Sequence, residues 1–203
     1  MLQQYFADRF YREKILKNKL LIQPSFCIGL CIAVLMVPIP WVFAWLAAAA
    51  IHETGHYIAL SILKIPIYRV SINLTGAYMA TGFLTARDEF ISALAGPVAG
   101  ISCLFLSHCV PMLAICCFFQ SVYNLLPYPD YDGGRCLHTL LHKFLTGKTA
   151  RIVYIVILLF TSAVLISLGL YLWLYKNLGY IAFAVCIIPL CKSHIIKIPC
   201  KQR

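Results

Sequence analysis

Residues 41–63 read WVFAWLAAAAIHETGHYIALSIL, a mostly apolar stretch that holds His52-Glu53-Thr54-Gly55-His56 near its middle. A stretch of about 20 such residues is long enough to cross a bilayer as a helix. Positions four apart on a helix lie about 40° apart around its axis and about 6 Å along it. Both imidazoles therefore reach one metal ion, and Glu53 lies on the flank of the same face. The pattern predicts two metal ligands and a carboxylate that takes a proton from water.

The composition of the chain predicts a membrane protein. Of its 203 residues, 62% are hydrophobic and 12% are charged, about half the charged share of a soluble domain. The mean hydropathy is +0.84, and the apolar residues come in long blocks. An ionisable side chain at membrane depth is costly and is a functional residue by default. Two histidines and a glutamate within residues 41–63 are therefore expected to have a function.

Six apolar blocks are candidate membrane spans, and the paired prolines Pro38 and Pro40 separate the first two. The polar stretch 64–86 contains residues 67–83, which are rich in β-branched and aromatic side chains and predict a hairpin. The predicted fold class is an all-α polytopic membrane protein of about six transmembrane helices with a small β-hairpin between spans two and three. The spans are placed at about 25–39, 41–63, 90–108, 112–127, 151–174 and 178–191.

The ends of the chain are basic, and they set the predicted orientation. Residues 1–24 are a basic leader, either a helix on an anionic membrane surface or an ordinary cytoplasmic segment; residues 192–203 are a basic tail. Residues 25–191 are the membrane domain, with its core at 41–135. Of the 17 Lys and Arg residues, all but Lys176 fall in alternate segments, which predicts a cell-membrane protein with both termini in the cytoplasm. The net charge of +10 is thereby explained without a nucleic-acid partner.

A second polar motif follows span four and reads Asn124-Leu-Leu-Pro127-Tyr-Pro129-Asp130-Tyr-Asp132-Gly133-Gly134. Two histidines do not complete a catalytic zinc site, which usually takes three protein ligands. Asp130 and Asp132 are both carboxylates available for the third position. The ten cysteines fall largely in apolar runs without a C-x-x-C pair, so neither a disulfide framework nor a zinc ribbon is predicted.

These two motifs, in this order, resemble the site-2 protease family of intramembrane metalloproteases. The resemblance covers about residues 41–135 and extends to Ala95-Gly96-Pro97. It implies a single Zn²⁺ held by His52, His56 and Asp132, because Asp132 directly precedes Gly133 as in the family motif. It further implies that Glu53 activates water and that Asn124 binds the substrate backbone or the developing oxyanion. The implied activity is hydrolysis of peptide bonds in membrane-embedded proteins.

The resemblance also implies roles for residues around the ligands. Pro127 and Pro129 would unwind the helix end so that the aspartate reaches the metal, and Gly133 would let the chain turn sharply. A membrane-associated hairpin at 67–83 would lie near the active site, where it either clamps an unwound substrate strand or only connects two spans.

Two other functions remain open at this point: a zinc transporter, and an inactive relative that binds membrane partners. The expected partners are a transmembrane protein substrate and the lipid bilayer, with no nucleic acid and an undetermined oligomeric state. Two further patterns are not assigned a role in metal binding or catalysis. His138 and His142 are expected on a solvated helix face, and Gly96-x-x-x-Gly100 is expected to serve close helix packing.

Overall fold

A computed structural model describes residues 20–73 and 76–176 of the chain. The predicted leader up to residue 19, the predicted sixth span at 178–191 and the predicted tail at 192–203 lie outside the described residues. The cytoplasmic placement of both termini therefore stays a prediction.

The described residues form three strands and six α-helices. In chain order the elements are β1 (Leu20–Ile22), α1 (Pro24–Met36), α2 (Ile39–Ile62), β2 (Ile67–Asn73), β3 (Gly76–Thr81), α3 (Ala86–Ser102) with a short 3-10 helix after it (Cys103–Leu106), α4 (Pro111–Asn124), α5 (Asp132–Phe144) and α6 (Gly147–Lys176).

Helix boundaries follow local sequence signals. The predicted break at Pro38 and Pro40 is present: α1 ends at Met36 and α2 begins at Ile39 with proline in its first turn. Proline is tolerated there because the first amides of a helix have no partner within it. Helix α3 begins four residues before the predicted span. Thr85 and Asp88 form a capping box at its start, with Asp88 N–H donating to Thr85 Oγ1 at 3.3 Å.

Two described helical segments, Ala86–Leu106 and Gly147–Leu174, are long and apolar enough to cross a membrane. The predicted count of six spans is not confirmed. Helices α1 and α4 have 13 and 14 residues, about 20 Å, which is short of the ~30 Å hydrocarbon core. Almost no residue of the α6 segment is buried within the chain, and apolar surface of that extent indicates a membrane environment.

The sheet contains the predicted hairpin and one strand that was not predicted. Strands β2 and β3 pair antiparallel, and Gly76 opens β3 at a φ of 129°, a conformation that favours glycine. Strand β1 pairs parallel to β2, with Leu20 opposite Val70. The sequence placed these residues in the basic leader at 1–24, as a helix on an anionic membrane surface or an ordinary cytoplasmic segment; Leu20–Ile22 is instead a strand, because the edge of β2 is available to pair with it. The chain leaves β1 with Gln23 N–H donating to the Ile72 carbonyl at 2.8 Å.

Residues up to Val122 form one compact unit, in which α3 packs against α2 and α4 through small residues. A Cβ at Gly55 would lie 2.6 Å from the Ala95 carbonyl oxygen, and one at Gly100 would overlap Ser121 Oγ. The helix backbones approach closely only because these side chains are absent. A small buried cluster completes the core of this unit, formed by Ala48, Cys103, Cys116 and Cys117.

Residues from Tyr123 onward form a second compact unit, built around α5 and α6. Helix α5 lies in the polar stretch between the predicted fourth and fifth spans, where no membrane span was predicted. Tyr154 Oη donates to the Pro127 carbonyl at 3.1 Å, and Tyr128 Oη lies 2.9 Å from Ser162 Oγ. A Cβ on Gly134 would overlap the Tyr128 carbonyl. The start of α5 is therefore pressed against the backbone that precedes it.

Hydroxyl side chains on the helices bond mostly to their own helix. These hydroxyls donate to the carbonyl three or four residues earlier, a bond that satisfies the hydroxyl without a partner helix. The pairs include Thr54 to Ala50 at 2.6 Å, Ser61 to Tyr57 at 2.8 Å and Ser121 to Cys117 at 2.8 Å.

We expect Gly134→Ala to lower the free energy of unfolding by about 1–3 kcal/mol, because the new methyl group overlaps a backbone carbonyl that cannot move aside alone. Thermal unfolding in detergent micelles, followed by circular dichroism, measures the effect. The matched control is Gly147→Ala, since a Cβ at Gly147 meets no atom within 4 Å. Equal stability of the two variants would contradict the packing described for α5.

Candidate metal centre

His52 and His56 lie side by side on α2 and are both buried, with 3% and 9% of their surface exposed. Their rings meet edge to face, with centroids 4.8 Å apart. The two Nε2 atoms face each other at 3.1 Å. The structure thus brings together the two histidines that the sequence predicted as metal ligands, and it does so within one unit of the chain.

The tautomer of His56 follows from its second ring nitrogen. Nδ1 lies 2.7 Å from the Ser92 carbonyl oxygen of α3. A carbonyl oxygen only accepts a hydrogen bond, so Nδ1 carries the proton and donates. In the neutral ring, Nε2 therefore presents a lone pair towards His52. Metal-ligating histidines usually donate their other ring N–H in this way, which fixes ring orientation and strengthens the ligand.

The separation of the two Nε2 atoms fits a shared metal ion. Zn–N bonds of 2.0–2.1 Å at a tetrahedral angle place two ligand nitrogens about 3.3–3.4 Å apart. The observed 3.1 Å differs from this by a few tenths of an ångström. At this distance an N–H of His52 Nε2 can donate to the lone pair of His56 Nε2, and a transition metal favoured by imidazole can take the place of that proton.

Gly96 on α3 makes room for both rings. A Cβ at this position would overlap His56 Nε2 and would lie 2.9 Å from His52 Nε2. The adjacent Ala95 carbonyl contacts the Gly55 position of α2, so the backbones of α2 and α3 lie close together at the level of the histidines. The Gly96-x-x-x-Gly100 pattern was interpreted as packing only. Gly100 fits that interpretation, whereas Gly96 contacts the histidine rings themselves.

Glu53 follows His52 on α2 and is half-buried. One residue along a helix rotates a side chain by about 100°, so Glu53 lies on the flank of the face that carries the histidines. Its position on the helix is thus the one that a proton-accepting carboxylate beside a metal needs.

Asp132 is the first residue of α5 and is 8% exposed. Arg135, one turn later, has Nη1 at 3.5 Å from its Oδ1. Burial, followed by a hydrogen bond to Tyr123, raises the pKa of the neighbouring Tyr131 above its ordinary value, so that phenol adds no negative charge.

The residue after Asp132, Gly133, lies close to the preceding backbone: a Cβ added to it would overlap the Leu125 carbonyl. Its role is this close approach, and its backbone lacks the positive φ that a glycine turn would show.

The remaining residues of the second motif differ in burial. Asp130, the other candidate for the third ligand, is exposed to solvent, whereas Asp132 is buried. Asn124, predicted to bind substrate, is the last residue of α4 and is half-buried. His138 and His142 have ring centroids 4.3 Å apart and are exposed on α5. Their exposure agrees with the solvated helix face that the sequence predicted.

Sequence reasoning missed the contribution of Ser92. The hydrogen-bond acceptor for His56 is a backbone carbonyl. Every residue has a backbone carbonyl, so the sequence does not indicate which one accepts. Gly96 was noticed in the sequence as part of the Ala95-Gly96-Pro97 stretch. The sequence of that stretch does not show that Gly96 contacts the imidazole rings.

Comparison with known proteins shows the fold. No family model and no curated protein matches the sequence. Among solved structures, the chain is similar to the site-2 protease from Methanocaldococcus jannaschii, with a TM-score of 0.56 and 17% sequence identity. The similarity covers 91% of this chain and 94% of that chain. The chain therefore has a site-2 protease-like fold.

We expect Gly96→Ala to weaken metal binding by about 10–100-fold, the cost typical of disturbing groups that orient metal ligands. The added methyl group displaces the His52 and His56 rings rather than removing a ligand. Zinc affinity is measured by competition with a chromophoric chelator. The control, Val98→Ala, also alters α3 but at an exposed side chain. Unchanged affinity in Gly96→Ala would show that the rings are not held by α3.

Proposed function

We propose that this chain is an intramembrane zinc metalloprotease that hydrolyses peptide bonds of membrane-embedded proteins. The observation that carries the proposal is the buried His52–His56 pair, whose Nε2 atoms converge at 3.1 Å while Ser92 holds the second nitrogen of His56. This pair lies in a fold similar to that of a site-2 protease. Neither observation alone defines an activity, but a metal-binding pair in this fold favours peptide hydrolysis over other metal chemistry.

In this proposal, His52, His56 and Asp132 hold one zinc ion. They are residues of the types that ligate zinc, and each is buried. A buried carboxylate is unfavourable by several kcal/mol unless its charge is compensated, and a divalent cation supplies such compensation. Three protein ligands leave a fourth coordination position for water or substrate, as catalytic zinc sites require.

Zinc, when bound, supplies a Lewis acid that polarises the scissile carbonyl and acidifies water. Glu53 takes the proton from the attacking water and delivers it to the departing amine nitrogen, acting first as base and then as acid. Asn124 donates its side-chain amide to the substrate backbone or to the oxygen that gains negative charge. Ser92 keeps His56 in the tautomer that leaves Nε2 free for the metal.

The proposed substrate is a transmembrane segment of another protein. A helix hides its peptide bonds in its own hydrogen bonds, so the substrate must unwind locally before Glu53 and water can reach it. Strand β3 lies at an edge of the described sheet, where its backbone donors and acceptors can pair with an unwound segment. We place the enzyme in the cell membrane with both termini in the cytoplasm, on the basis of the distribution of basic residues.

Glu53→Gln is expected to abolish cleavage of a membrane-embedded model substrate while zinc stays bound, because Glu53 moves protons but does not ligate the metal. Metal content and cleavage are measured on the same purified sample in detergent micelles. Glu89→Gln, the same chemical change at the start of α3, serves as control. A Glu53→Gln variant with normal turnover would contradict the mechanism. Zinc flux into proteoliposomes without any cleavage by the wild type would instead identify a transporter.

Asp132→Ala is expected to lose both zinc and activity, as are His52→Ala and His56→Ala. Asp130→Ala should keep most of both, because Asp130 is exposed and lies two residues away. Metal analysis after gel filtration, together with the cleavage assay, separates the two aspartates. If Asp130→Ala were the inactive variant, the third ligand would have been assigned to the wrong residue.

A further inference from the structure

A groove of about 470 Å³ lies between the C-terminal part of α2 and the sheet, within the first unit of the chain. Helix α2 contributes Tyr57 and Ser61, and β2 contributes Tyr68 and Arg69. Apolar side chains complete the lining, among them Leu20 and Ile65. Tyr57 directly follows His56, but none of these residues belongs to the proposed catalytic set.

Among the described residues that line this groove, Arg69 is the one that carries a charge. It is half-buried, and its Nε is shielded from solvent with no hydrogen-bond partner. In residues 20–73 and 76–176, no carboxylate forms an ion pair with it. A guanidinium stays protonated in proteins, and removing part of it from water is costly unless an anion pairs with it. The groove therefore favours an anionic ligand.

The shape of the guanidinium narrows the chemistry of that anion. Its fixed fork of N–H donors matches the oxygens of a phosphate or a carboxylate in a bidentate arrangement. Tyr57 and Ser61, the two hydroxyl-bearing residues that α2 contributes, also line the groove, and Ser61 Oγ donates to the Tyr57 carbonyl. A phosphodiester offers acceptor oxygens to the arginine and to a tyrosine hydroxyl at the same time.

The position of the groove indicates a lipid source. It lies at the end of the apolar helix α2, which ends at Ile62, and tyrosines are enriched where helices reach the headgroup level. Leu20 and Ile65 supply an apolar wall for the glycerol and first methylenes of a lipid. In sequence, Lys17 and Lys19 immediately precede β1, and added positive charge attracts anionic headgroups.

We propose that the groove between α2 and the sheet binds the phosphate headgroup of an anionic phospholipid, with Arg69 as its principal contact. This site is separate from peptide hydrolysis, and its existence does not depend on the proposed catalytic activity. A lipid held here would fix the sheet at the membrane surface beside the end of the helix that carries the two histidines.

The test is native mass spectrometry of the purified full chain, released from detergent micelles in the presence of dioctanoyl phosphatidylglycerol or dioctanoyl phosphatidylcholine. Wild type should retain one phosphatidylglycerol in preference to phosphatidylcholine. Arg69→Gln should weaken that retention by about tenfold, the value of one charge-assisted hydrogen bond. Arg87→Gln removes the same charge from an exposed position at the start of α3 and should retain lipid as wild type does.

Two further arms keep the outcome decisive. Arg69→Lys preserves the charge but not the fork, so its retention should fall between those of wild type and Arg69→Gln; this variant also covers the case in which Arg69→Gln does not fold. Glycerol phosphate is added as a competitor without acyl chains. Equal retention by Arg69→Gln, Arg69→Lys and wild type would overturn the proposal. Displacement of lipid by an equal concentration of glycerol phosphate would mean that the site takes a free phosphate and not a lipid.

Discussion

The close contact between α2 and α3 is the constraint on which the proposed chemistry depends. At this contact, Gly55 admits the backbone of α3 and Gly96 leaves space for the imidazoles of α2. Only at that separation does the Ser92 carbonyl reach Nδ1 of His56 at 2.7 Å. A few added carbon atoms would separate the helices, release the histidine tautomer and move both Nε2 atoms. Small residues here are thus a condition for the placement of the two imidazoles as well as for packing.

Sequence patterns predicted the elements that have strong local signals. The paired prolines before α2, the β-branched residues of β2 and β3, and the metal-binding spacing of His52 and His56 each have a physical cause confined to a few residues. The structure reproduces all three. A site-2 protease-like fold was expected from two motifs that cover less than half of the chain, and the structural similarity extends over 91% of it.

Other features depend on distant partners and had no usable local signal. Strand β1 has three residues, too few to show alternation, and it forms because β2 offers an edge. The first turn of α5 contains Gly133 and Gly134, which have low helix propensity. Glycine is required at these positions because the preceding backbone leaves no room for a side chain. The count of six spans rested on the length of apolar runs and is not confirmed: α1 and α4 have 13 and 14 residues, and the predicted sixth span lies outside the described residues. The set of three metal ligands stays a prediction from motif order and residue chemistry.

The self-bonded hydroxyls of the helices have a consequence for biosynthesis. Thr54 and Ser61 satisfy their hydroxyl groups within α2, so those groups need no partner from another helix when α2 forms ahead of its neighbours. His56 differs, because its acceptor belongs to a residue 36 positions later in the chain. Until α3 has been translated and has packed against α2, the ring donor of His56 has no access to that carbonyl. The arrangement of the two imidazoles is therefore completed at a defined stage of translation, and the proposed metal loading is expected to follow the packing of α3 rather than accompany the formation of α2.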